Sequence, residues 1–141
     1  MTSLPVLADT HALHWWLADP SRLSETARVR LDAAEGLEPG GVLVSVASRI
    51  DLHYLVASKR MSSDLAGSIW QAVTGPERNV WPVHIGTEVV DRFGDPQLTA
   101  TLPDPWDRLI VATAIELGVE LVTKDRAMHQ LARQRYMSAV W

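Results

Sequence analysis

Asp104-Pro105-Trp106-Asp107-Arg108-Leu109-Ile110-Val111-Ala112-Thr113-Ala114 leads, through Gly118, into Val119-Glu120-Leu121-Val122-Thr123-Lys124-Asp125. The first half reads as a helix. Asp104 is an acidic N-cap, and Pro105 suits the first helical position, where an N–H would have no intrahelical partner. Trp106, Leu109, Ile110, Thr113, Ala114 and Leu117 fall on one stripe at helical spacing, and Gly118 ends it. Val119 to Thr123 reads as a strand that closes at Lys124-Asp125. A helix running straight into a short apolar strand is a building block of an α/β fold with a mostly parallel central sheet.

The same alternation continues on both sides. Leu4 to Ala8 is a predicted strand ending at Asp9-Thr10, followed by a helix from His11 to Ala18 that Asp19-Pro20-Ser21 breaks. Ser24 caps a helix over 25–34, and Gly36, Pro39, Gly40 and Gly41 form a loop. Val42 to Val46 is the second strand, with a helix from Ser48 to Ser58 behind it. Ser63 caps a further helix over 64–73. Val80 to Ile85 is a third strand, and its Pro82 argues for an edge position or an irregular start. Thr87 to Phe93 is a short helix, followed by a loop to Pro103. A helix around 127–133 and a strand near 138–141 complete the pattern.

A chain of 141 residues is expected to form one domain, residues 1–141. Its 47% hydrophobic and 21% charged content excludes disordered, collagen-like and coiled-coil chains. No apolar run approaches the ~20 residues of a membrane span, so no membrane partner is expected. Met1 to Asp9 carries no positive charge ahead of its apolar run and does not read as a signal peptide. With no cysteine, disulfides, thiolate metal sites and cysteine nucleophiles are excluded, and the cytoplasm is the expected compartment. A net charge of −4 gives no basic footprint for nucleic acid, although bound divalent cations would invert the local potential.

Acids recur at one place in the pattern. Asp9 closes the first strand and Asp125 the fourth; Asp51 falls in the first turn of the helix after the second strand, and Asp107 in the first turn of the Pro105 helix. In a parallel sheet these positions share one edge, where ligands bind. Converging carboxylates repel one another, and a divalent cation with oxygen preference, Mg²⁺ or Mn²⁺, resolves the repulsion. Each acid also has a structural reading: Asp9 and Asp125 as helix caps, Ser48-Arg49-Ile50-Asp51 as a capping box, Asp104 as an N-cap, Asp107 as a partner of the helix dipole. None of these explains why the acids recur at the same edge.

Val6-Leu7-Ala8-Asp9-Thr10-His11-Ala12-Leu13 followed by Trp15-Trp16-Leu17, Val44-Ser45-Val46-Ala47-Ser48-Arg49-Ile50-Asp51, Asp104 to Ala114, and Leu121-Val122-Thr123-Lys124-Asp125 together resemble PIN-domain ribonucleases, most closely the VapC-type toxins of toxin–antitoxin pairs. The resemblance implies a three-layer α/β/α fold and a Mg²⁺- or Mn²⁺-dependent endoribonuclease. It implies Asp9 and Asp107 as principal metal ligands, with Asp51 and Asp125 completing the cluster and Asp125 counted among the ligands. It also implies an RNA substrate, a cognate antitoxin protein and a homodimer. The family carries Glu where this chain has Asp51, so the carboxylate reaches one methylene less far. Two alternatives stand beside this reading: a PIN-like binding module weakened in catalysis by that change, and a receiver-type phosphoacceptor switch. The switch requires an acid after a central third strand, where this chain has Val83-His84-Ile85-Gly86.

The remaining chemistry-bearing residues are less informative. The five histidines show no metal spacing and read as ordinary helix or strand residues. No Gly-rich phosphate loop and no Ser nucleophile elbow is present. Thr10 and Thr123 are candidates for polar support of the acids. Arg49, Arg108, Lys124 and Arg126 flank the acids as phosphate holders or as solvated charge. Trp15, Trp16, Trp70 and Trp106 lie on helical stripes and are expected in the core. Neighbours on a helix point ~100° apart, so one of Trp15 and Trp16 is expected on a surface that a partner covers.

Overall fold

The computed structural model describes residues 4–37 and 40–141; Pro39 of the predicted loop and the first three residues lie outside them. In chain order the elements are β1 (Val6–Ala8), α1 (Thr10–Ala18), a 3₁₀ turn (Pro20–Arg22), α2 (Glu25–Glu35), β2 (Val42–Ser45), α3 (Val46–Ala57), α4 (Ser63–Thr74), β3 (Val80–Val83), α5 (Thr87–Phe93), α6 (Pro96–Thr101), α7 (Pro105–Leu117), β4 (Glu120–Val122), α8 (Arg126–Arg133) and β5 (Ala139–Val140). The five strands form one sheet in the order β3-β2-β1-β4-β5. Every pairing is parallel, with Val6 of β1 opposite Val42 of β2 and Glu120 of β4. β3, with Pro82, is an edge strand as expected.

The layers follow from side-chain alternation in β1. Val6 and Ala8 face a core built with Ala12, Leu13 and Trp16 of α1, Ala27, Leu31 and Ala34 of α2, and Ala66, Ile69 and Val73 of α4. Leu7 faces the other core, with Val89 of α5, Leu98 of α6, Ile110 to Ala112 and Ala114 of α7, and Met128 and Leu131 of α8. The sheet therefore lies between two helical layers, a three-layer α/β/α arrangement. Gly118 ends α7 in the left-handed region, at φ 67°.

Several local expectations are corrected. The predicted loop before Pro103 contains α6, which Asp95 and Pro96 start by the same acid-proline signal as Asp104-Pro105. α3 begins at Val46 because the Ser45 hydroxyl accepts the Ala47 N–H at 3.0 Å. Ser48 is thus already inside the helix, Asp51 sits in its second turn rather than its first, and no capping box forms. α4 is capped by Ser62, not Ser63. The apolar stripe of α7 is broader than its sequence spacing: Ile110 to Ala114 are all buried, since α7 packs between α3, α5 and the sheet, while Leu117 is exposed.

Candidate active site

The C-terminal edge of the sheet gathers the ends of β1 and β4 and the starts of α1, α7 and α8. Three of these helices begin with an aspartate cap. Asp9 accepts the Thr10 N–H at 2.8 Å, Asp104 the Trp106 N–H at 2.8 Å, and Asp125 the Met128 N–H at 3.0 Å. Three helix N-termini thus direct partial positive charge at the same patch. Asp9, Asp51, Asp107 and Asp125, the four acids singled out in the sequence, line one cavity of about 1070 Å³ together with Asp104.

Two threonines fix the cluster. The buried Thr123 hydroxyl donates to Asp9 Oδ2 at 2.7 Å and accepts the Asp125 N–H at 3.0 Å, so one side chain ties the ends of β1 and β4 together. Thr10 lies 2.7 Å from Asp51 Oδ2 and 2.9 Å from the Ser48 hydroxyl. It has one proton, and an ionised carboxylate only accepts. Thr10 therefore donates to Asp51 and accepts from Ser48. Both threonines were candidates for polar support, and both provide it.

Asp107 has no comparable anchor: among the described residues no hydrogen bond to its carboxyl is formed. Burial, and then the facing carboxylates of Asp9, Asp104, Asp125 and Asp51, push it up to about 8. Asp51 rises to about 6, chiefly by burial, against the stabilising Thr10 hydrogen bond and with smaller contributions from Asp9 and Asp104. At neutral pH the site therefore relieves its own repulsion by keeping a proton on Asp107, and a cation would displace that proton. Among the described residues no three acidic or histidine side chains form a ready-made cage for an ion. Mg²⁺ needs no such cage, since it takes one or two carboxylates and fills its shell with water and substrate phosphate.

His11 belongs to the site, although its spacing in the sequence marks it as ordinary. Its Nε2 accepts the Lys124 N–H at 2.8 Å, so in the neutral ring the proton is on Nδ1, which faces Asp9 Oδ2 at 3.6 Å. Its place two residues after Asp9, in the first turn of α1, was the available signal. Trp106 is half-buried on the cavity wall rather than in the core. Trp16 is buried and its Nε1 donates to Asp32 at 2.9 Å. Trp15 is half-buried at the cavity rim. Of the flanking basic residues, Arg108 donates to the Leu102 carbonyl and Arg49 stands over Trp70, 5.9 Å from its ring centre, so both serve packing.

The chain and its fold match known proteins. The model of the PIN domain matches residues 6–134. Ribonuclease VapC22 of Mycobacterium tuberculosis is 35% identical over 140 residues, covering 96% of this chain and 98% of the relative. The chain belongs to the PIN-domain family, among the VapC ribonucleases. The fold is shared with VapBC2 from Rickettsia felis, crystallised with a DNA fragment from its promoter, at a TM-score of 0.68 and 15% identity over 97% of this chain and 98% of that one. It is also shared with VapBC-5 from Mycobacterium tuberculosis, a member of the VapBC family of toxin-antitoxin systems, at a TM-score of 0.58 and 13% identity over 96% and 97%.

Proposed function

We propose that this chain is a Mg²⁺- or Mn²⁺-dependent endoribonuclease and the toxin of a toxin–antitoxin pair, acting in the cytoplasm as a single PIN domain. The observation that carries the reading is the convergence of Asp9, Asp51, Asp104, Asp107 and Asp125 on one cavity at the edge where ligands bind; burial and this crowding push the Asp107 carboxyl up. Asp9, Asp107 and Asp125 would hold the cation, one or two of them directly and the remainder through its water shell. When bound, the cation supplies Lewis-acid activation of water and neutralises charge on the scissile phosphate. Thr123 holds Asp9 and the backbone of Asp125 in fixed relation, and Thr10 holds Asp51 with its carboxylate toward the cavity. Asp51 orients the water by accepting its proton in a hydrogen bond, and its rise to about 6 leaves it ionised at neutral pH.

The ribonuclease name of the 35% identical relative supports RNA as the substrate, and the VapBC structures support a cognate antitoxin as partner. Among the described residues no helix is long and apolar enough to cross a membrane. A homodimer follows from the family alone. The test is cleavage of an RNA panel with Mg²⁺, Mn²⁺ or EDTA by the wild type, Asp9→Asn and Asp107→Asn. Metal-dependent cleavage lost in both variants supports the reading; wild-type turnover in Asp107→Asn refutes the site.

A further inference from the structure

The acidic cavity has two aromatic borders, and they differ. On one border Trp15 is already engaged. The Arg22 guanidinium lies 4.3 Å from its ring centre and the Lys124 ammonium 5.7 Å, while His11 and Trp141 pack at 5.1 and 5.8 Å. On the other border Tyr54 is 56% exposed; among the described residues the tilted Trp106 ring is the one aromatic beside it, centroids 6.4 Å apart, and no cation lies over it. Tyr54 follows Asp51 by three residues on α3, so the two share a helix face, and Trp106 directly precedes Asp107. Both rings line the same cavity as the acids, and so do Arg22 and Arg60.

A cation would hold only the scissile phosphate, so further affinity for a polyanion beside a carboxylate cluster must come from elsewhere. Every nucleobase has a π-face that stacks on an aromatic ring without regard to charge, but only when the base is unpaired. Trp15 is covered by cations; Tyr54 is open. We propose that Tyr54, backed by Trp106, is the stacking platform for an unpaired base next to the scissile phosphate, with Arg22 and Arg60 holding the neighbouring phosphates. This inference rests on the ribonuclease reading above.

The test pairs protein and RNA changes. Tyr54→Ala, Tyr54→Phe and Tyr54→Trp are assayed on a single-stranded RNA that the wild type cleaves, and on copies with one abasic nucleotide at each position around the cut. Tyr54→Ala is expected to raise KM about 5- to 100-fold with kcat little changed, and the Phe and Trp variants to retain wild-type KM. One abasic position should reproduce the loss, and combining it with Tyr54→Ala should add nothing. Unchanged KM in Tyr54→Ala, equal losses in Phe and Ala, or additivity at every position overturns the platform while leaving the ribonuclease intact. Release of a protein partner by Tyr54→Ala with RNA kinetics unchanged assigns the ring to that partner and also overturns it. If the wild type cleaves no RNA with either metal, the reading beneath it fails first.

Discussion

Raising the pH of the metal-free protein should unfold it more easily, and Asp107 sets the size of the effect. Its carboxyl is pushed up to about 8 in the folded state, by burial and by four carboxylates. In the unfolded chain it returns to about 3.9. A group raised in this way favours the folded state while it is protonated there, and that contribution is lost as pH climbs through the folded value. Between roughly pH 6.5 and 8.5 the other shifted groups lining the cavity are quiet: Asp51, at about 6, is mostly ionised, and His14, lowered by burial and Arg22, is neutral. Over that window linkage gives a loss of roughly 2 kcal/mol. The cluster is partly open to solvent, which screens it, so about 1 kcal/mol is the expected loss. For a chain of this size that lowers Tm by about 3–4 °C. The measurement is thermal unfolding in EDTA at closely spaced pH for the wild type and Asp107→Asn. The variant should melt higher than the wild type at about pH 8.5 and lose the slope. A wild-type Tm that is flat or rising across the window, or a slope that survives in Asp107→Asn, refutes the account of the cluster.

Three further outcomes are expected. Thr123→Val strands the Asp9 carboxylate oxygen and the Asp125 N–H, and should cost about 1–3 kcal/mol in denaturant unfolding, with Thr123→Ser restoring most of it. Asp51→Ala should lower cleavage roughly 10–100-fold without a matching fall in Tm, whereas Asp51→Glu should stay within a few-fold of wild type; a normal rate in Asp51→Ala removes Asp51 from the site. Trp16→Ala opens a core cavity and removes one hydrogen bond to Asp32, which keeps its Arg28 partner, costing about 3–5 kcal/mol, while Trp15→Ala at the rim should cost clearly less; equal losses would mean that both rings are core.

The sequence carried the sheet edge well, because acid-terminated strands and acid-proline helix starts are local signals. Asp9, Asp107 and Asp125 are positioned by the few residues around them, and the cavity brings them together as their places in the pattern required. Asp51 shows the limit of local signals. Ser45 and Ser48 are both competent caps, and the choice of Ser45 is made by β2, which ends there in register with β3. α6 was legible and overlooked: Asp95-Pro96 repeats the Asp104-Pro105 signal, but six residues lack a visible apolar stripe. His11 left no signal beyond its place two residues after Asp9, and Tyr54 left none. The partner of His11 is a backbone N–H more than a hundred residues away, and the exposure of Tyr54 depends on how α3 and α7 cross.

Asparagine caps a helix as well as aspartate does. At Asp9 the exchange of one oxygen for an amide leaves Oδ1 to accept the Thr10 N–H, and Thr123 can turn to receive the new donor and point its own proton at Met128 Sδ, 3.5 Å away. At Asp107 the exchange removes repulsion. On the metal-site reading proposed above, chemical silence lies a single nucleotide change from the active chain and needs no misfolding. A gene drifting under selection against its own product would pass through well-folded, inert copies, abundant enough to occupy whatever partner restrains the active ones. The fold makes loss of activity and loss of structure separate events, and a lineage can undergo the first long before the second.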